Sequence, residues 1–197
     1  MGKRAFLFPG QGAQVVGMGK DFFDTYDLAK KRFTEADEAL GYSISKLCFE
    51  GPADQLQLTE HTQPAILTVA VIAAELLRAE GIEPEIAAGH SLGEYAALVA
   101  AGVLSFQDAV LLVHKRGAYM QEAVPVGEGA MAAVIGLDDE TIISVCDEAS
   151  SAGAVQAVNF NCPGQTVIAG TAKGVETAVQ YLQKKGAKKA VILPVSA

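Results

Sequence analysis

Between a short apolar run, Glu85–Gly89, and an alanine-rich one, Leu92–Ala101, the sequence reads Gly89-His90-Ser91-Leu92-Gly93. This G-x-S-x-G pattern constrains the fold more than any other stretch. With a strand before it and a helix after it, the chain must turn sharply, and glycines on both sides of the serine leave room for that turn. Such a turn belongs to an α/β architecture. Ser91 then sits at a helix N-terminus, where orphan N–H groups can stabilise a developing oxyanion. Ser91 is therefore a candidate nucleophile. The plainer alternative is a glycine-bracketed turn in which Ser91 is only an N-cap.

The surrounding pattern supports an α/β reading up to about residue 125. Arg4–Phe8 reads as a buried strand stopped by Pro9-Gly10-Gln11-Gly12, and Asp21–Leu40 as one helix ending at Gly41. Short helical pieces fill Ser43–Leu58. A strong helix opens at Thr62-Gln63-Pro64, with Pro64 in its first turn and a buried stripe of Ile66, Val69, Ala70, Ala73, Leu76 and Leu77. Ser105 and Asp108 form a capping box for a helix reaching Val124. After Gly127 the grammar changes to strand 130–135, helix 138–152, strand 155–160, strand 165–169, helix 173–185 and strand 190–195. That β-α-β-β-α-β order predicts a ferredoxin-like unit. Two domains are expected, 1–125 and 126–197.

Composition excludes several classes. Half of the 197 residues are hydrophobic, too many for a disordered chain, and the net charge of -8 argues against nucleic-acid binding. Cys48, Cys146 and Cys162 are odd in number and widely spaced, which suits neither a disulfide framework nor a metal site and points to a reduced, cytoplasmic setting. The four-residue apolar run before Pro9 reads as no signal peptide, and Ala65–Ala74 is about half a membrane span, so no membrane partner is expected.

A serine nucleophile needs a base. His90 adjoins Ser91 on a tight turn, His61 lies in a polar stretch, and His114 lies about 200° round its helix from Arg116 and so faces away from any site that residue serves. None is an evident base. Arg116 falls on the apolar stripe of Phe106, Ala109, Val113 and Met120, where a buried guanidinium requires an anion. Either a protein carboxylate supplies it, or a carboxylate-bearing substrate does. Gly10-Gln11-Gly12 is either a tight turn or a place where backbone N–H groups meet a ligand at the sheet's C-terminal edge.

Together, Phe8-Pro9-Gly10-Gln11-Gly12-Ala13-Gln14, Thr62-Gln63-Pro64-Ala65, Gly89-His90-Ser91-Leu92-Gly93-Glu94-Tyr95, Arg116-Gly117, Val158-Asn159-Phe160-Asn161 and Pro163-Gly164-Gln165 resemble the malonyl-CoA:acyl carrier protein transacylases of bacterial type II fatty acid synthesis. The resemblance spans the chain in order. It implies a hydrolase-like, parallel-sheet large subdomain, here incomplete, and a small ferredoxin-like one. It also implies that Ser91 accepts the malonyl group, that Arg116 holds its carboxylate, and that the backbone at Gln11 and Leu92 forms the oxyanion hole. Gln63 and His90 match site-lining positions. Malonyl-CoA and acyl carrier protein are the implied partners, and no cofactor is implied beyond these thioester and phosphopantetheine substrates. In the family a base histidine follows a Pro-Val-Ser strand end, and this sequence ends at Pro194-Val195-Ser196-Ala197. The chain thus reads as an N-terminal portion, partnered by the missing C-terminal segment and inactive without it. Two rival readings are a serine hydrolase or thioesterase with the same elbow, and a catalytically dead module that binds CoA or acyl carrier protein.

Overall fold

In the computed structural model, which describes residues 3–125 and 127–193, the apolar run after Arg4 forms strand β1 (Ala5–Phe8), parallel to β2 (Ile86–Gly89) with Ala5 opposite Ile86 and Phe8 opposite Gly89. Both strands belong to the first of two compact units, Met1–Glu122 and Ala123–Ala197. Helices α1 (Lys20–Thr25), α2 (Asp27–Leu40), α3 (Ile44–Glu50) and α4 (Ala53–Leu56) follow β1. They lead into the long α5 (Thr59–Ala79), and β2 is followed by α6 (Gly93–Ala100) and α7 (Phe106–Ala123). Phe33, Ile44, Leu67, Ile72 and Leu92 are among the fully buried side chains of this unit's core.

Four sequence expectations are corrected in this unit, the first being that β1 is no buried strand, since only Phe8 of its four residues is buried. The single helix over 21–40 is two helices, broken where Tyr26 turns extended. Residues ten apart in a straight helix lie about 15 Å apart along its axis, yet the rings of Phe23 and Phe33 meet at 5.9 Å and both pack on Phe49. The chain has to fold back to build that aromatic trio. The helix expected from Thr62 starts at Thr59, so Pro64 falls in its second turn. The buried stripe also differs. Ile66 is buried, but Leu77 is 41% exposed, and Val69, Ala70 and Ala73 are only half-buried. The helix instead buries Thr59, Thr62, Gln63, Leu67, Val71 and Ile72. Apart from Leu76, the stripe lines an open apolar groove of ≈ 460 Å³ beside β1, together with Phe6, Phe8 and Met18. By length and hydropathy α5 could cross a membrane, but it is the core helix of this unit.

The second unit runs β3 (Gly129–Ile135), α8 (Asp139–Ala149), β4 (Val155–Cys162), β5 (Gln165–Thr171), α9 (Ala172–Lys184) and β6 (Lys189–Ile192). Its sheet has the order β4-β5-β3-β6, and every pairing is antiparallel. Ala132, Val134, Ile142, Ile168 and Leu182 fill its core. Asp138 caps α8 by accepting from Thr141 N–H at 2.8 Å, and Thr171 caps α9 by accepting from Gly174 N–H at 3.2 Å. Strand β4 runs two residues past its expected end at Phe160. Register shifts at Ala157/Asn159 and Phe160/Cys162 absorb the mismatch, leaving Pro163-Gly164 as the turn. The expected last strand, 190–195, is described as Lys189–Ile192, and Pro194-Val195-Ser196-Ala197 lies outside the described residues.

Candidate active site

Parallel pairing of Phe8 with Gly89 brings the C-terminal ends of β1 and β2 to one edge, so the loops that follow them are neighbours. His90 N–H donates to Phe8 O at 3.0 Å. The glycines of the motif are sterically required. A Cβ on Gly89 would lie 2.0 Å from the Gly93 carbonyl group, and one on Gly93 would lie 2.3 Å from Phe8 O. Among the described residues Ser91 is the only non-glycine with positive φ, at 54°. A left-handed serine at a strand-to-helix junction is a strained turn that the surrounding backbone holds in place. Gly93 N–H donates to His90 O at 2.9 Å and Glu94 N–H to Ser91 O at 3.2 Å, starting α6. Leu92, the N-cap of α6, anchors the elbow with a buried side chain, and its amide belongs to the helix end whose N–H groups lack intrahelical acceptors. Ser91 itself is exposed.

Arg116 comes to this serine from α7. One terminal nitrogen (NH2) donates to Ser91 Oγ at 3.0 Å and the other (NH1) to Gln63 Oε1 at 2.7 Å. Gln63 is fully buried, and its amide NH₂ donates to Met120 Sδ at 3.3 Å, so its carbonyl oxygen is presented to the guanidinium. The ion pairs of the described residues do not include Arg116. A second arginine in the unit shows the other way to satisfy a guanidinium. Arg32 bonds both carboxylate oxygens of Glu75 at 2.8 and 2.5 Å and Glu35 at 2.6 Å, and it lies over the Phe106 ring. Those bonds, Glu75 first, raise its pKa above the ordinary arginine value. Arg32 is a structural clamp. Arg116 presents its charge to two neutral partners, Gln63 and the exposed Ser91, a geometry able to accept a carboxylate.

Of the residues marked in the sequence, Ser91, Arg116 and Gln63 therefore form one hydrogen-bonded chain. Gln11 is placed by a bond from its Nε2 to Thr59 Oγ1 at 3.2 Å. The His90 ring lies beside Gly10, where a Cβ would approach its Nδ1 to 2.7 Å. The other two histidines are engaged by backbone carbonyls. His61 Nδ1 is 3.0 Å from Gln55 O, and His114 Nδ1 is 3.1 Å from Glu60 O. The His114 contact has a clear cause. Pro64 has no N–H, so the Glu60 carbonyl lacks its i+4 donor, and the His114 ring occupies the vacated direction. His114 and Arg116 thus both reach α5 on successive turns, where the helical angle had suggested that His114 faces elsewhere.

Sequence reading missed Thr59, the close packing of Gly117 on α5 and the His114–Glu60 contact. A Cβ on Gly117 would lie 2.6 Å from Thr59 O and from Glu60 Cα, so α7 crosses the start of α5 in direct backbone contact. The one legible signal was Pro64 itself, since a proline beyond the first turn of a helix leaves a carbonyl needing a donor. The buried thiols are disfavoured as nucleophiles. Burial pushes Cys48 up to about 12 and Cys146 up to about 11. Among the described residues no group of three or more His, Cys, Asp or Glu side chains is placed to hold a metal.

Comparison with known proteins fits this geometry. Residues 5–196 match the acyl transferase domain family. The malonyl CoA-acyl carrier protein transacylase of Bacillus subtilis (strain 168) is 55% identical over 197 residues, covering 100% of this chain and 62% of that protein. The crystal structure of the acyl-carrier-protein S-malonyltransferase from Burkholderia pseudomallei 1710b superposes with a TM-score of 0.91 at 54% identity, over 100% of this chain and 64% of that one. A malonyl transacylase in complex with its type II polyketide acyl-carrier protein matches with a TM-score of 0.93 at 45% identity, over 100% and 64%. The chain spans less than two thirds of the length of each of these relatives.

Proposed function

The chain belongs to the acyl transferase domain family, and from that premise we propose that it carries the acyl-accepting centre of a cytoplasmic malonyl-CoA:acyl carrier protein transacylase of fatty acid synthesis. The observation that carries the reading is the Arg116 guanidinium held 3.0 Å from Ser91 Oγ with no carboxylate partner among the described residues. A malonyl thioester places a carboxylate one methylene from the carbon to be attacked, so a cation adjoining the nucleophile recognises that substrate and not a neutral ester. Gln63 fixes the plane of the guanidinium by accepting from its other terminal nitrogen.

In the first half-reaction Ser91 Oγ attacks the thioester carbon. The carbonyl oxygen becomes an oxyanion that accepts from the amides of Gln11 and Leu92. The C–S bond then breaks, and CoA leaves as the thiol with the serine proton. In the second half-reaction the phosphopantetheine thiol of acyl carrier protein attacks the seryl ester, and Ser91 regains its proton. The proton needs a base in both directions, and the ring contacts of His61 and His114 lie elsewhere. We assign the base to a histidine following the Pro-Val-Ser segment, in keeping with the greater length of the relatives. No group beyond the malonyl-CoA thioester and the phosphopantetheine thiol is invoked. The 62–64% coverage of the relatives and the two-stranded sheet of the first unit support reading that unit as part of a larger hydrolase-like sheet. The β4-β5-β3-β6 order supports a ferredoxin-like second unit, with a domain junction near residue 125.

The test is intact-mass and peptide analysis after mixing the full-length protein with malonyl-CoA. A malonyl adduct should map to Ser91 and vanish in Ser91→Ala, a loss on the order of 10⁶-fold in turnover. An adduct on another residue overturns the assignment. Net hydrolysis with no transfer to acyl carrier protein identifies a thioesterase, and binding without any adduct identifies a catalytically dead module.

A further inference from the structure

Gln11 lies between two glycines, Gly10 and Gly12, the latter at φ +107°. Glycine on both sides gives this loop little intrinsic stiffness, yet an oxyanion donor has to be fixed to a fraction of an ångström to be useful. Something outside the loop must therefore hold it. The side-chain amide of Gln11 donates to Thr59 Oγ1 at 3.2 Å, 48 residues along the chain, and Thr59 is fully buried in the first turn of α5. The same residue meets the other half of the site. Its carbonyl lies against Gly117, where a Cβ would approach to 2.6 Å, and Gly117 adjoins Arg116. Four residues further along α5, Gln63 accepts from that arginine.

We infer that Thr59 is a positioning residue. Its hydroxyl fixes the Gln11 loop and its backbone seats α7, so the oxyanion side and the carboxylate side of the site share one reference point. The role follows from the number of distant elements that meet at this residue. A threonine buried only for packing would be replaceable by valine, which has nearly the same shape and no hydroxyl. A threonine that positions Gln11 would not be. The inference rests on the transacylase reading given above and adds to it a residue that does not touch substrate.

The experiment compares Thr59→Val, Thr59→Ser, Gln11→Met and the Thr59→Val/Gln11→Met double variant in the full-length protein, with malonyl-CoA and acyl carrier protein as substrates. Thr59→Val should lower kcat by up to about 10²-fold and leave KM for malonyl-CoA nearly unchanged, because Arg116 and Gln63 still hold the carboxylate. Thr59→Ser keeps the hydroxyl and should restore kcat. Gln11→Met keeps the backbone amide but loses the anchoring donor, so it should match Thr59→Val. The double variant should then be no worse than either single one. A valine variant with wild-type kcat, a serine variant as impaired as the valine one, or additive losses in the double variant would overturn the inference. If Thr59→Val does not fold, the Gln11→Met and Thr59→Ser results decide alone. Absence of malonyl transfer in the wild type would instead overturn the functional reading, so the two failures are distinguishable.

Discussion

The two units reach order in opposite ways. In the second unit every strand pairs antiparallel with another strand of the same short stretch, and each helix begins at its own side-chain cap. In the first unit the sheet is a single parallel pair whose strands lie on either side of four helices and the long α5. The contacts that matter there join residues 25, 48 and 53 positions apart. Local pairing makes a unit that specifies itself. Long-range pairing makes a place where loops from different parts of the chain converge, and the candidate site is there. The first unit also leaves more unfinished. Leu7 is 77% exposed and Ile86 51%, both on the face shared by Ala5 and Ala88, whereas parallel sheets are normally covered on both faces.

That contrast can be tested from the elbow outward. The largest effect is expected at Gly93. Its added Cβ in Gly93→Ala would strike Phe8 O at 2.3 Å and Pro9 O at 2.6 Å, both backbone atoms. The substitution should cost about 3 kcal/mol of stability and abolish acyl-enzyme formation, as read by chemical denaturation and intact mass. A stable, active Gly93→Ala would show that the two loops are not locked together.

A smaller effect belongs to His114. Its bond to the Glu60 carbonyl should contribute about 1 kcal/mol, seen as a loss of stability in His114→Ala. Pro64→Ala returns an N–H to the helix and so gives Glu60 an alternative donor. In that background the His114→Ala loss should shrink, which a double-variant cycle measures directly. An undiminished loss means that the ring acts by packing, for instance against Tyr42, whose centroid is 5.8 Å away.

The smallest effect on function is expected in the second unit. Thr171→Ala removes the α9 cap and should cost about 1 kcal/mol, with malonyl transfer unchanged within error. A loss of turnover as large as that of a first-unit substitution would erase the distinction drawn between the units.

Legibility in the sequence followed the same division. The caps, strand alternation and turns of the second unit are local signals, and only element ends moved, such as the end of α8 at Ala149 and that of β4, whose bulges depend on its partner β5. In the first unit the elbow was legible because glycine spacing records a backbone that cannot bear a Cβ. Arg116 stood out because a cation on an apolar stripe demands an explanation. What could not be read were effects of tertiary packing. The break at Tyr26 follows from three phenylalanines meeting, and the buried face of α5 follows from which helices cover it. Which carboxylates reach Arg116 is likewise a matter of tertiary placement that the sequence leaves open; none of the ion pairs of the described residues includes it.

The central claim is that a carboxylate-reading cation stands beside the nucleophile, and acyl selectivity measures it most directly. The full-length protein and Arg116→Ala would each be given malonyl-CoA and acetyl-CoA, with acyl-Ser91 quantified by mass spectrometry at early times. The wild type should prefer malonyl by a margin that can reach about 10⁴-fold for a site demanding a polar partner. Arg116→Ala should lose malonyl loading heavily while acetyl loading falls less or rises, collapsing the preference. Equal losses for both substrates would contradict the account and make Arg116 a structural residue like Arg32.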